Sequence, residues 1–207
     1  MGKIIAIIDP PYGVSIVSKK TGMVGAGNLA KNKVYSEVIG DNTTETAKKC
    51  FDILAKITDR MIIFGGNYFL DFLPPSDGWL IWDKRVDMPS NNFADGEMMW
   101  CSFHTPVRIY HHLWNGMIRA GEKEDRVHPT QKPVKLIADI IKDFTNEDDI
   151  ILDLFGGSGS TLIACEQTNR ICYGMEIDPK YCDVIRKRYA NFIKKGEEWI
   201  QSTPAVK

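Results

Sequence analysis

Four consecutive residues near the start of the chain, Asp9-Pro10-Pro11-Tyr12, combine a carboxylate, two rigid rings and a flat aromatic. The prolines fix φ and hold the groups on either side in place. Asp9 and the neighbouring carbonyls only accept hydrogen bonds, and Tyr12 adds a π face. Two fixed acceptors suit an exocyclic amino group, which is a poor nucleophile because its lone pair is delocalised into a heteroaromatic ring. They bind both amino hydrogens and favour the pyramidal geometry of the transition state. An aromatic face beside them stacks on a base swung out of its duplex.

A second constellation lies late in the chain. Ile150-Ile151-Leu152-Asp153-Leu154-Phe155-Gly156-Gly157-Ser158-Gly159-Ser160-Thr161 reads as a strand, a glycine turn and a helix start. The glycines let backbone approach a ligand closely, and the helix start offers N–H groups to an anion. Roughly twenty residues further on, Glu176 closes the next apolar run, the spacing at which an acid reaches ribose hydroxyls. This unit implies a nucleoside-containing ligand. The run from Gly157 is Gly-Ser-Gly-Ser-Thr-Leu, without the third glycine of a nicotinamide-dinucleotide site. Asp153 just before the turn suits a ligand that carries an ammonium, as S-adenosylmethionine does.

The elements that must position these residues follow from the apolar pattern. Runs of strand length fall at Ile4–Ile8, Met61–Phe64, Trp79–Trp82, Met98–Phe103, Val107–Tyr110, Ile150–Leu154 and Ile171–Met175. Helical periodicity fits Thr44–Ile57, Val134–Phe144, Thr161–Thr168 and Pro179–Phe192. In the last of these, Tyr181, Val184, Ile185, Arg188, Tyr189 and Phe192 form a stripe. Unbroken apolar strands alternating with helices imply an α/β fold, Rossmann-like, with a mostly parallel sheet of six or seven strands and helices on both faces. At 207 residues the chain reads as one domain, 1–207. Ser18–Lys33 and Arg119–Thr130 read as loops, long enough to carry function.

Composition narrows the class. Hydrophobic content of 43% and charged content of 26% suit a globular protein, and no apolar run approaches the roughly 18 residues of a membrane helix. Asp9 ends the first apolar run too early for a signal peptide. Five scattered cysteines without a CxxC pair argue for a reduced, cytoplasmic setting. A formal charge of -1 gives no global attraction to nucleic acid, so binding to DNA must rest on local basic segments. Cys101, His104, His111 and His112 lack the paired spacings of a zinc module, and no metal is expected.

The chain resembles the DNA amino-methyltransferases, whose paired motifs are a [DNS]PP[YFW] tetrapeptide and an F-x-G-x-G cofactor turn. Asp9 to Tyr12 match the first, and Phe155, Gly157 and Gly159 the second. Their order, with the tetrapeptide first, is similar to the permuted group called beta. Arg126-Val127-His128-Pro129-Thr130-Gln131-Lys132-Pro133 resembles that group's H-P-x-x-K-P segment, which helps hold the methionine end of the cofactor. Phe64 to Phe69 and Gly78 to Lys84 resemble its central strands, and Asp95 to Trp100 the strand that flanks the flipped base. The likeness runs from Lys3 to about Phe192.

The resemblance implies a site-specific enzyme that methylates N6 of adenine in double-stranded DNA. S-adenosylmethionine is the donor, S-adenosylhomocysteine the product, and no metal takes part. Asp9 and the Pro10 carbonyl would accept the amino hydrogens beside Pro11, and Tyr12 would stack on the base. Asp9, Lys132, Pro133, Asp153, Phe155, Gly157, Ser158, Gly159, Glu176 and Asp178 would form the cofactor site. Lys19, Lys20, Lys31, Lys33, Arg108, Arg119, His111, His112 and Lys123 are candidates for phosphate contacts. The family's cytosine enzymes more often carry Ser than Asp at the first position, so an N4-cytosine enzyme ranks second. A nicotinamide oxidoreductase leaves Asp9–Tyr12 and His128–Pro133 unexplained, and a non-catalytic binding module is expected to show an eroded motif.

Two departures shape further expectations. The G-D-C-type leader strand that lines the adenine pocket has no counterpart in the eight residues before Asp9, so Trp199–Thr203 is a candidate to fill that edge. The usual target-recognition insert is reduced to 104–127 at most. Recognition then falls to that segment, to Ser18–Lys33 or to a second subunit. A homodimer, a cognate restriction endonuclease in a restriction-modification pair, and a bacterial or phage-infected cell complete the expected setting.

Overall fold

The computed structural model describes residues 2–17, 38–91, 94–115, 118–120 and 127–194. Its strands are β1 (Ile4–Ile8), β2 (Arg60–Phe64), β3 (Trp79–Asp83), β4 (Gly96–Cys101), β5 (Arg108–His111), β6 (Trp114–Asn115), β7 (Ile118–Arg119), β8 (Ile150–Asp153) and β9 (Ile171–Gly174). The helices are α1 (Glu45–Ile57), α2 (Val134–Phe144), α3 (Ser160–Gln167) and α4 (Pro179–Phe192), with a 3-10 turn over Gly66–Tyr68. Seven strands form one sheet in the order β5-β3-β4-β2-β1-β8-β9, and β6 and β7 form a separate two-stranded hairpin. The α/β architecture and the mostly parallel sheet are those expected from the sequence. The strand that runs against its neighbours is β4, antiparallel to both β2 and β3, whereas β3 pairs with β5 and β8 with β9 in parallel.

The chain divides into two compact units, one of Met1–Ile5 with Asp125–Lys207 and one of Ala6–Glu124. In the first unit, α2 is amphipathic: Val134, Leu136, Ile137, Ala138, Ile140 and Ile141 are buried, while Lys135, Lys142 and Asp143 are exposed. It packs on α3, which buries Ser160, Thr161, Ile163, Ala164 and Cys165. Asp149, itself buried, accepts hydrogen bonds from the backbone N–H of Lys3 at 2.7 Å and of Asn146 at 2.8 Å. That carboxylate ties the N-terminal strand to the turn before β8. Asp178 caps α4 through the Lys180 N–H at 2.8 Å, and Pro179 takes the first helical position, where a missing N–H costs nothing.

In the second unit, Ile62, Ile63 and Phe64 of β2, Leu80 and Trp82 of β3, and Met99 to Cys101 of β4 make the core. The Trp82 indole N–H satisfies itself on the His112 carbonyl at 2.9 Å. Strand β4 begins two residues earlier than the apolar pattern implies, because Gly96 and Glu97 pair with Asp83 and Trp82. It also ends earlier. Ser102 accepts the Met61 N–H on its hydroxyl at 2.8 Å, and the Arg60 guanidinium lies over the Phe103 ring at 4.9 Å. Of the segment Phe64 to Phe69, only Phe64 is strand; Gly65 is left-handed and the 3-10 turn follows. No described helix is long and apolar enough to cross a membrane.

Candidate active site

The Asp9–Tyr12 turn begins directly after β1, and Asp41 holds its far side. The buried Asp41 carboxylate accepts the N–H groups of Gly13 (3.1 Å), Val14 (3.4 Å) and Ile16 (2.7 Å). Its own carbonyl accepts the Ser15 N–H at 2.7 Å. One side chain from a distant part of the chain therefore fixes the backbone that follows Tyr12. Motif reading missed Asp41, because nothing in its spacing distinguishes it from any turn aspartate. Asp41→Asn keeps the size but turns amide hydrogens toward at least one of these donors. It should cost about 1–2 kcal/mol of stability, read from the urea midpoint; a midpoint equal to wild type would show that the clamp contributes nothing.

Tyr12 points inward. Its hydroxyl donates to Asp9 Oδ1 at 2.7 Å and lies 3.4 Å from Glu97 Oε2. Burial, then the charges of Asp9 and Glu97, hold the phenol pKa well above its ordinary value, so the hydroxyl remains a donor at physiological pH. The ring stacks on Tyr68 at 4.9 Å between centroids and 14° between planes, and meets Phe69 edge-on at 6.0 Å. Gly65 allows this approach, since a Cβ there would stand 2.4 Å from the Tyr12 ring. Glu97 in turn pairs with Lys84, whose ammonium sits 4.9 Å from the centre of the Trp82 ring. Tyr68, Glu97 and Lys84 fall inside the matching segments, but residue type alone gave none of them a role.

The glycine turn and the acid after β9 lie in the first unit. Asp153, buried at the end of β8, accepts the Phe155 N–H at 3.0 Å and so shapes the entry to the glycine turn. Gly157 and Gly159 both take positive φ, 52° and 80°, which explains their place in the motif. Glu176 accepts the Gly157 N–H on Oε2 at 2.6 Å and the Asp178 N–H on Oε1 at 2.8 Å. Thus the strand-end acid grips the glycine turn 19 residues away.

Two residues of the stripe read on α4, Ile185 and Arg188, face this turn. Ile185 meets Gly159, where an added Cβ would come within 3.1 Å of it, and Arg188 donates to the Ser158 carbonyl at 2.6 Å. Tyr181 contacts the His128 ring edge-on at 4.2 Å. His128 itself stands near Gly157, 3.7 Å from where a Cβ would be. The Thr130 N–H donates to His128 Nδ1 at 3.2 Å, which assigns the ring proton of the neutral form to Nε2. Lys132 is buried, with its carbonyl accepting the Ser160 hydroxyl at 2.7 Å, and Pro133 precedes α2 as its cap. Asp178, expected among the cofactor residues, spends its side chain on the helix cap.

The cationic residues are less well gathered. Lys19, Lys20, Lys31, Lys33, Lys123 and Trp199–Thr203 lie outside the described residues, as does the whole of Ser18–Lys33. For Arg119 only the backbone, in β7, is described. Arg108 is exposed on the edge strand β5. His111 pairs with Asp83 at 2.8 Å, His104 with Asp77 at 2.6 Å, and His112 is buried. Among the described residues no group of three His, Cys, Asp or Glu side chains is placed to hold a metal ion.

A sheet of this order, with a glycine turn answered by a strand-end acid, defines the class of Rossmann-like methyltransferase folds, and solved structures agree. The chain is similar to M1.HpyAVI in its complex with SAM, with a TM-score of 0.61 and 22% identity over 91% of this chain and 89% of that one. It is also similar to PvuII DNA methyltransferase, described as cytosine-N4-specific, with a TM-score of 0.57 and 13% identity over 98% and 87% of the two chains. A family model described as DNA methylase, of the N6/N4 type, matches residues 104–187. Type II methyltransferase M2.LlaDCHI of Lactococcus lactis subsp. cremoris is 30% identical over 139 residues, 67% of this chain and 51% of that protein. The chain belongs to the DNA amino-methyltransferase family. It spans about half the length of that curated relative.

Proposed function

We propose that this protein transfers the methyl group of S-adenosylmethionine to N6 of adenine in DNA and releases S-adenosylhomocysteine. The observation that supports this most directly is the Asp9–Tyr12 turn, a carboxylate already accepting a hydrogen bond at 2.7 Å on a backbone clamped by Asp41. In this reading Asp9 and the Pro10 carbonyl accept the two amino hydrogens, and Tyr12 with its stacked neighbour Tyr68 supplies the aromatic surface for the base. The sulfonium cofactor supplies an activated methyl group. Methyl transfer to the amino nitrogen would leave S-adenosylhomocysteine, and the proton shed by that nitrogen would pass to solvent. Glu176 is suited to ribose hydroxyls because a carboxylate has about four acceptor sites and two backbone N–H groups leave room for more. Asp153 suits the ammonium, and Gly157 and Gly159 keep the turn free of side chains. Asp9, rather than Ser, at the first motif position favours adenine over cytosine. Arg108 and Arg119 remain candidates for phosphate.

The test is transfer of label from radiolabelled S-adenosylmethionine to unmethylated DNA, followed by digestion to nucleosides. Label in N6-methyladenosine is the expected result. Label in N4-methylcytosine would keep the mechanism and overturn the base. Unlabelled DNA would overturn the activity.

A further inference from the structure

On this reading of the activity, Asp9 must present its carboxylate to an amino group, yet the structure shows it accepting the Tyr12 hydroxyl at 2.7 Å. A phenol has a single proton to donate, and every bit of it spent on Asp9 makes that carboxylate a weaker acceptor for substrate. A second acceptor lies within reach: Glu97 Oε2, 3.4 Å from the same hydroxyl. A small rotation of the phenol exchanges one carboxylate for the other. Two ionised carboxylates around one hydroxyl would repel, and Lys84 answers this by pairing with Glu97 on its other oxygen, Oε1. Lys84 is itself steadied over the Trp82 ring, and Glu97 and Lys84 are mostly buried, with side chains 18% and 20% exposed. The pair thus works where charge is poorly screened.

We propose that Glu97, held by Lys84, is a positioning residue that takes over the Tyr12 hydroxyl and so releases Asp9 to bind the target amino group. Glu97 touches neither substrate nor cofactor in this role; it acts through Tyr12. Its contribution should therefore exist only when Tyr12 has a hydroxyl.

The experiment is a double-mutant cycle on the single-turnover rate of methyl transfer to DNA, with the affinity for S-adenosylmethionine measured alongside by calorimetry. Glu97→Ala should lower the rate about tenfold with cofactor affinity unchanged, and Glu97→Gln should recover most of the loss because its amide oxygen still accepts. In a Tyr12→Phe background, Glu97→Ala should change the rate by less than about twofold. Lys84→Met should follow the same pattern, which keeps the cycle decisive if the alanine variant does not fold. Equal losses with and without the Tyr12 hydroxyl, or no loss in either background, would overturn the proposal while transfer by the wild type persists. A wild type that leaves DNA unlabelled would instead overturn the proposed activity, and this inference with it.

Discussion

Asp9→Ala should reduce methyl transfer about a hundred- to a thousandfold, the loss seen when one preorganised polar group is taken from a transition state. The argument is one of differential binding. The amino nitrogen becomes nucleophilic only as it pyramidalises, and an acceptor fixed for that geometry stabilises the transition state more than the ground state. Cofactor affinity should fall far less than the rate, by no more than about tenfold, since Glu176 and Asp153 are the acids proposed for the ribose and the ammonium. The fold should tolerate the change, because the Tyr12 hydroxyl keeps Glu97 as an acceptor within 3.4 Å. Removing the Asp9 charge also removes one of the causes that raise the Tyr12 pKa, so that pKa should fall toward its ordinary value. Asp9→Asn retains one oxygen acceptor and should lose less. A rate within about tenfold of wild type for Asp9→Ala would remove Asp9 from the mechanism.

The second large effect belongs to Gly65→Ala. Gly65 has φ of 67°, where a side chain costs about 1–2 kcal/mol, and its Cβ would stand 2.4 Å from the Tyr12 ring. Overpacking of this kind adds about 1–3 kcal/mol, so the expected loss of stability is about 2–5 kcal/mol, measured from denaturant midpoints. The consequence is chemical as well as structural. Tyr12 must leave its place on Tyr68, which disrupts the aromatic surface proposed for the base and carries the hydroxyl away from Glu97 as well as Asp9. Activity should fall along with stability, even at temperatures where the variant is fully folded. A variant as stable and as active as wild type would mean that the Tyr12 ring is not confined as it stands here.

How much of this was legible follows from where the information sits. Helix α2 could be read to its ends because Val134, Leu136, Ile137, Ile140 and Ile141 repeat with helical period after a proline. Helix α4 declares itself through Asp178-Pro179, a cap followed by a residue suited to the first turn. The glycine turn and Glu176 are legible because a short stretch of chain contains the whole unit. Strand β4 was displaced by two residues at each end: Gly96 and Glu97 look polar but are held by strand pairing, and Phe103 looks like strand but packs under Arg60. Asp41 could not be found at all. Its role depends on backbone donors at Gly13, Val14 and Ile16, a pairing that exists only once the chain has folded. The inward turn of Tyr12 was equally hidden, since it depends on an absent side chain at Gly65 and a ring at Tyr68.

Asp41 also ties down the chain on both sides of residues 18–37. Its carboxylate secures Ile16, and its own N–H donates to the Val38 carbonyl at 3.2 Å, so the chain leaves and re-enters at anchored points on either side of residues 18–37. Closing a longer stretch between such anchors costs little, roughly 0.6 kcal/mol for each doubling of length. That stretch can therefore be lengthened, shortened or exchanged while the tetrapeptide stays where it is.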